Sequence, residues 1–149
     1  MYINFTWLRN QLPPHSKIIV WAATVHTAKE LDSVHGSQDR VPLGSYIHKD
    51  FKDAAYSLGF TAYSGSYAFA HRPLQQLSIA PPDSLEAQTF AHNGTSAAYL
   101  TSEQLRGLDE VPARLLGTQF ETARWDQVVD GIVVFREERS PSWIKPAIQ

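Results

Sequence analysis

The stretch Lys17-Ile18-Ile19-Val20-Trp21-Ala22-Ala23-Thr24-Val25-His26-Thr27 constrains the fold of this chain most. Ile18 to Ala23 is a continuous apolar run with β-branched residues and an aromatic. Such a run predicts a strand buried on both faces, as in a parallel sheet covered by helices. Thr27-Ala28-Lys29-Glu30 follows, a Thr with Glu three residues on, which is the sequence form of a capping box and predicts a helix start. His26 then falls where a strand feeds a helix, at the carboxyl end of the strand. In open α/β sheets that edge gathers ligands and catalytic groups. His26 is the first candidate site residue.

The rest of the chain supports the same class. A helical spacing over residues 3–12 ends at Pro13-Pro14. Residues 43–52 carry Ile47 and Phe51 four apart, a second amphipathic helix. Tyr56 to Tyr63 alternates apolar with small or polar residues and predicts a strand; a helix continuing through Leu58 competes with it, because Phe51, Ala54, Ala55 and Leu58 also share a helical face. Asp83 is a good N-cap with Glu86 at the third helical position, for a helix to about Ala91. Ala97 to Leu100 is a short strand candidate, followed by a capping-box form at Thr101-Ser102-Glu103-Gln104. Ile132-Val133-Val134-Phe135 is a second buried strand, and Ser140 to Pro146 reads as a surface strap. Strands alternating with helices predict an α/β layered domain with a mainly parallel sheet flanked by helices, one domain over 1–149.

Composition narrows the function classes. A chain of 149 residues with 43% hydrophobic and 19% charged residues can bury a core and is no candidate for disorder. Its net charge of -2 gives no basic face for nucleic acid. No apolar run is long enough to span a bilayer, and Met1-Tyr2-Ile3-Asn4 lacks the features of a signal peptide, so the expected location is cytoplasmic. With no cysteine there is no disulfide frame, thiol nucleophile or thiolate metal site. Six histidines without H-E-x-x-H or C-x-x-C define no metal site, and no cofactor motif is present.

Several segments, in order, resemble the erythromycin esterase family. Lys17 to Ala22 matches a family strand of the form K-[IV]-[IV]-V-W-A-H-N-x-H-V. Asn4 to Leu8 resembles its N-x-x-W-L helix end, Gly44-Ser45-Tyr46-Ile47 its M-G-x-x-L helix start, and Gly59-Phe60-Thr61 with Gly65-Ser66-Tyr67 its G-F-T/A and G-S-F segment. Ser84-Leu85-Glu86 resembles its S-x-E, and Asp130 to Phe135 its D-[AG]-[LI]-[LIV]-[FV] strand. The resemblance covers nearly the whole chain but only the carboxyl-terminal portion of the family. The family's G-E-x-x-H-G motif, which supplies the histidine thought to act as general base, has no counterpart in this sequence.

The resemblance implies ester or lactone hydrolysis by activated water, with a small-molecule ester as substrate. That chemistry needs a base and a second polar group to orient water or stabilise the oxyanion. His26 falls on the second histidine of the family strand, but Ala23 replaces the first and Thr24 the Asn. His26 is therefore assigned a supporting catalytic role, weighed equally against a junction residue hydrogen-bonded to backbone. Tyr63 and Ser64 close the strand expected over 56–63 and are candidate substrate-binding residues at the same sheet edge. Glu86 matches a family position, but its place in the first turn of a helix accounts for it through the helix dipole. His48, beside Lys49 and Asp50, is expected to be solvated. Trp7, Trp21, Phe60, Trp125 and Phe135 are expected in the core.

Two readings follow: a truncated esterase-like domain, inactive alone, or a non-catalytic module that binds a small ligand or a protein. A partial fold leaves apolar surface that a second copy or a partner chain would cover.

Overall fold

A computed structural model describes residues 1–34, 41–69, 72–92 and 94–140. The sheet is built on two strands far apart in sequence. β1 (Leu58–Tyr67) and β6 (Gly131–Glu138) run parallel in register from Leu58↔Gly131 to Gly65↔Glu138. β2 (Gln75–Leu77) pairs antiparallel with the far end of β1, and β3 (Ala97–Leu100) antiparallel with β6. The order in this four-stranded sheet is β2-β1-β6-β3. A hairpin of β4 (Val111–Ala113) and β5 (Glu121–Ala123) forms a second, two-stranded sheet.

Ile132 and Val134 of β6 are fully buried, as their apolar run predicts, and they share a face with Gly59 and Thr61 of β1. Against this face pack α4 (Leu85–Phe90), the β4–β5 hairpin, α5 (Ser102–Arg106) and α6 (Trp125–Val128), burying Leu85, Leu105, Leu115, Trp125 and Val128 in one cluster. The Trp125 indole N–H donates to the Val111 carbonyl at 2.7 Å, so the core's largest ring carries no unpaired donor. The α5 capping box forms as its sequence predicts: the Thr101 hydroxyl accepts from the Gln104 N–H, and the Gln104 side chain accepts from the Thr101 N–H. In α4 the N-cap is Ser84 rather than Asp83; its hydroxyl accepts from the Ala87 N–H and donates to the Pro81 carbonyl at 2.7 Å.

The amino-terminal third departs from the sequence expectation. α1 (Tyr2–Arg9) has no buried residue. Residues 17–23 fall in no helix or strand, and Ile19 and Trp21 are 88% and 83% exposed. A β-branched run favours extended backbone; burial on two faces requires flanking strands and covering helices, which no described element supplies here. Trp21 does lean on β1, its ring 5.6 Å from that of Phe60. Phe60 and Phe135 stack 6.4 Å apart on the sheet's other face. Of the five aromatics expected in the core, only Trp125 is buried.

The helix expected from Thr27 is also displaced. α2 (Thr24–Thr27) ends where the capping box was to start, because tertiary contacts pull Ala28 to Glu30 out of helical geometry. Ala28 is fully buried, and the Lys29 N–H donates to the Val128 carbonyl at 2.8 Å. α3 (Leu43–Phe51) forms over the expected range. Lys52 ends it at φ +48°, with a single 3-10 turn leading into β1, so the competing helix through Leu58 does not form. The strap beyond Ser140 lies outside the described residues. Among the described residues no helix is long and apolar enough to cross a membrane.

Candidate functional site

At the amino end of the parallel strand pair, Asp130 organises a half-buried polar network. Its carboxylate accepts the Ser57 backbone N–H at 2.7 Å and the Lys29 ammonium at 2.9 Å. His48 Nε2 lies 3.4 Å from the same carboxylate and 3.0 Å from the Ser57 hydroxyl. That hydroxyl donates to the Thr27 carbonyl at 2.6 Å, and the Lys29 ammonium also donates to the Asp126 carbonyl at 2.7 Å. The Asp130 carbonyl in turn accepts from Tyr56 and Ser102. The network ties α2, α3 and the starts of both strands together.

The proton inventory limits its chemistry. The Ser57 hydroxyl has given its hydrogen to a carbonyl, so it has none for His48, and His48 Nε2 is the donor between them. His48 and Asp130 meet through one ring nitrogen, whereas a nucleophilic triad uses both. Burial pushes the His48 imidazole below its ordinary value, the Asp130 carboxylate pulls it back, and Lys29 opposes it. His48 is thus held toward the neutral form, with its side chain 18% exposed, contrary to the solvated position read from its charged neighbours.

His48 also lines a cleft of about 980 Å³ that lies between residues 9–22 on one side and α3 and the start of β1 on the other. Ile47, Phe51, Leu58 and Phe60 give it an apolar wall, and Trp21 lines it from the opposite side, its ring 5.6 Å from that of Phe60. Gly44 brings α3 close: a Cβ there would collide with the carbonyl oxygens of Thr27 and Ala28.

A second polar pair sits inside the core. Glu86 is fully buried and Arg114 3% exposed. One Glu86 oxygen accepts from the Thr61 hydroxyl at 2.5 Å and from the Arg114 backbone N–H at 2.9 Å. The guanidinium donates to the Ser78 carbonyl at 2.7 Å and lies over the Phe120 ring at 4.3 Å. Burial lowers the Arg114 pKa, and Glu86 opposes that shift. Glu86 therefore ties three elements together, well beyond a role at a helix end.

The three residues singled out from sequence do not converge. His26 is the exposed third residue of α2; its N–H donates to the Ala23 carbonyl at 2.8 Å, and its ring has no hydrogen-bond partner among the described residues. The Tyr63 ring packs edge-on against Phe90, with centroids 6.4 Å apart, and its carbonyl accepts from the Ala80 N–H. The Ser64 hydroxyl donates to the Arg136 carbonyl at 3.0 Å. None of the three lines the cleft. Among the described residues no group of three or more His, Asp or Glu side chains could hold a metal ion.

The sequence profile of the family described as erythromycin esterase matches residues 1–137. The chain belongs to the erythromycin esterase family. Solved structures share the family fold at low identity. A Bacillus cereus protein superposes with a TM-score of 0.69 at 15% identity, over 93% of this chain and 37% of its own. A succinoglycan biosynthesis protein gives 0.63 at 20%, over 84% of this chain and 34% of its own. A mutant of the erythromycin esterase EreC in its open conformation gives 0.58 at 16%, over 94% and 35%. This family member thus spans about a third of the length of the structures it matches. Among curated protein sequences none matches it.

Sequence reading missed His48 and Arg114 as parts of constellations. A local signal existed for His48: it is four residues from Gly44, on the helix face where Gly44 permits close approach. For Arg114, in a mixed stretch with no period, there was none.

Proposed function

We propose that this chain is the ligand-holding part of an ester hydrolase, binding an ester-derived small molecule without cleaving it unaided. The observation that carries the reading is the cleft of about 980 Å³, a volume at the upper end of small-molecule sites, whose polar wall has no uncommitted acid–base pair. Ser57 is committed to the Thr27 carbonyl and Asp130 to Lys29 and the Ser57 N–H. His26, the residue in the family's histidine position, stands beside Ala23, which can neither donate nor accept a proton through its side chain. In a complete site His26 would support a base supplied by other residues, and Tyr63 and Ser64, midway along β1, would meet the substrate.

The test is to incubate the chain with erythromycin and, separately, with a p-nitrophenyl ester. Mass gain of one water and release of nitrophenolate report hydrolysis, and tryptophan emission reports binding, because Trp21 borders the cleft. The expected result is an emission change with the uncharged p-nitrophenyl ester and no conversion of either compound above the buffer blank. Sustained turnover that His26→Ala abolishes, with the fold intact, would instead make the chain a competent enzyme.

A further inference from the structure

The charge around the cleft says more about its ligand than the apolar wall does. Arg9, the last residue of α1, and His15 and Lys17 after it all border the cleft, and no Asp or Glu is among the described residues that line it. This asymmetry runs against the composition of the chain, whose net charge is -2. It is also not cancelled locally. No acid of the described residues forms an ion pair with Arg9 or Lys17; the Arg9 guanidinium makes one long contact with the Asn10 side chain, at 3.4 Å, and lies 5.3 Å above the Phe51 ring. Asp50, which shares a shallow neighbouring depression with Arg9, accepts from the Tyr2 hydroxyl. Asp130, behind His48, is occupied by Lys29.

Arg9 over Phe51 places a cation at the margin of the apolar wall. Ile47, Leu58 and Phe60 continue that wall, while Lys17 adds a second positive charge to the lining. The cleft thus combines a largely apolar lining with two cations that attract negative charge.

We infer that the cleft takes an amphipathic monoanion, a long-chain carboxylate whose apolar body lies on Ile47, Phe51, Leu58 and Phe60 and whose head group meets Arg9 and Lys17. The inference rests on the ligand-holding reading above and sharpens it. Ester hydrolysis by water leaves a carboxylic acid and an alcohol, and the acid is the product this lining would hold. A ligand with a protonated amine would meet like charge at the same place.

Three probes of equal chain length separate the possibilities: dodecanoate, methyl dodecanoate and dodecyltrimethylammonium, each below its micelle concentration. Binding to the full chain is followed by tryptophan emission and calorimetry. Dodecanoate is expected to bind at least tenfold more tightly than dodecyltrimethylammonium, and added salt to shrink the difference. Arg9→Gln and Lys17→Gln, singly and together, should bring dodecanoate down to the affinity of methyl dodecanoate while circular dichroism stays unchanged. Lys17 lies outside any helix or strand, so its replacement does not threaten the fold. Equal affinity for all three probes, or variants that bind dodecanoate as before, would overturn the charge assignment and leave the ligand-holding reading standing. Failure of every probe to bind would overturn the inference, and the p-nitrophenyl ester experiment above then decides the ligand-holding reading by itself. A dimer in sedimentation that dodecanoate does not perturb, with the cleft protected from exchange, would show that a second copy covers it and would equally overturn the inference.

Discussion

The Asp130 carboxylate accepts the backbone N–H of Ser57 at 2.7 Å, so the residue just before β6 holds the residue just before β1. The bond sets the two strands level at their first residues, where Leu58 faces Gly131. A one-residue slip would carry Ile132 and Val134 to the opposite face of the sheet.

Asp130→Ala is accordingly expected to lower unfolding free energy by about 2 to 3 kcal/mol, leaving Lys29 unpaired and the Ser57 N–H without its acceptor. The 20% exposure of Asp130 keeps the loss below that of a fully buried charge. Asp130→Asn retains an acceptor for Ser57 and should lose about half as much. Urea titrations of the two variants check the ordering.

His48 gives the fold a pH dependence. Its native pKa is lowered by burial, so below the ordinary histidine value the unfolded chain binds the proton more readily than the native one. Stability is therefore fully present above about pH 6.5 and falls as pH drops through the native value. Denaturant midpoints between pH 7.5 and 5 should decrease, and His48→Gln should flatten that decrease. An unchanged slope in His48→Gln would place the effect on another group.

Glu86→Ala should destabilise by about 2 to 3 kcal/mol, since it leaves the Thr61 hydroxyl and the Arg114 backbone N–H without their shared acceptor in the core. Arg114→Met alone is also costly. The double variant, with neither charge in the core, should lose less than the sum of the two, with a coupling of about 1 to 3 kcal/mol in a thermal or urea cycle. Additive losses would mean that the groups act independently.

Gly44→Ala should lower stability by about 1 to 3 kcal/mol through overpacking. Its new methyl would meet backbone carbonyl oxygens of Thr27 and Ala28, which cannot rotate aside as a side chain would. Gly117 provides the control, since a methyl there would find nothing within 4 Å: Gly117→Ala should stay close to wild type.

What the residues alone disclose is what is local or what fills a core. The Thr101–Gln104 cap and the Ile132–Phe135 strand are both of that kind, and both are where the pattern puts them. Ile18 to Ala23 shows the limit, because apolar character describes what a segment would gain from burial without naming what would bury it. Thr27 shows a second limit: a correct capping pattern loses to the contacts that Ala28 and Lys29 make with distant residues. The polar constellations are harder still. Glu86 and Arg114 are 28 residues apart, and Lys29 and Asp130 are 101 apart, spacings that carry no motif. The family, by contrast, was legible, since short matches in a fixed order survive even where Ala23 has replaced a histidine.

The partnership of β1 with β6 also governs when this fold can assemble. Ser57 and Asp130 are 73 residues apart. At ordinary rates of translation the ribosome needs roughly 4 to 15 s to cover that interval, and β1 emerges long before its parallel neighbour. Through that time Phe60 and the backbone groups facing β6 have no native strand beside them. A nascent chain paused before Gly131 would therefore be the species most exposed to chaperones and to misassociation, and the last strand described is the one that ends that exposure.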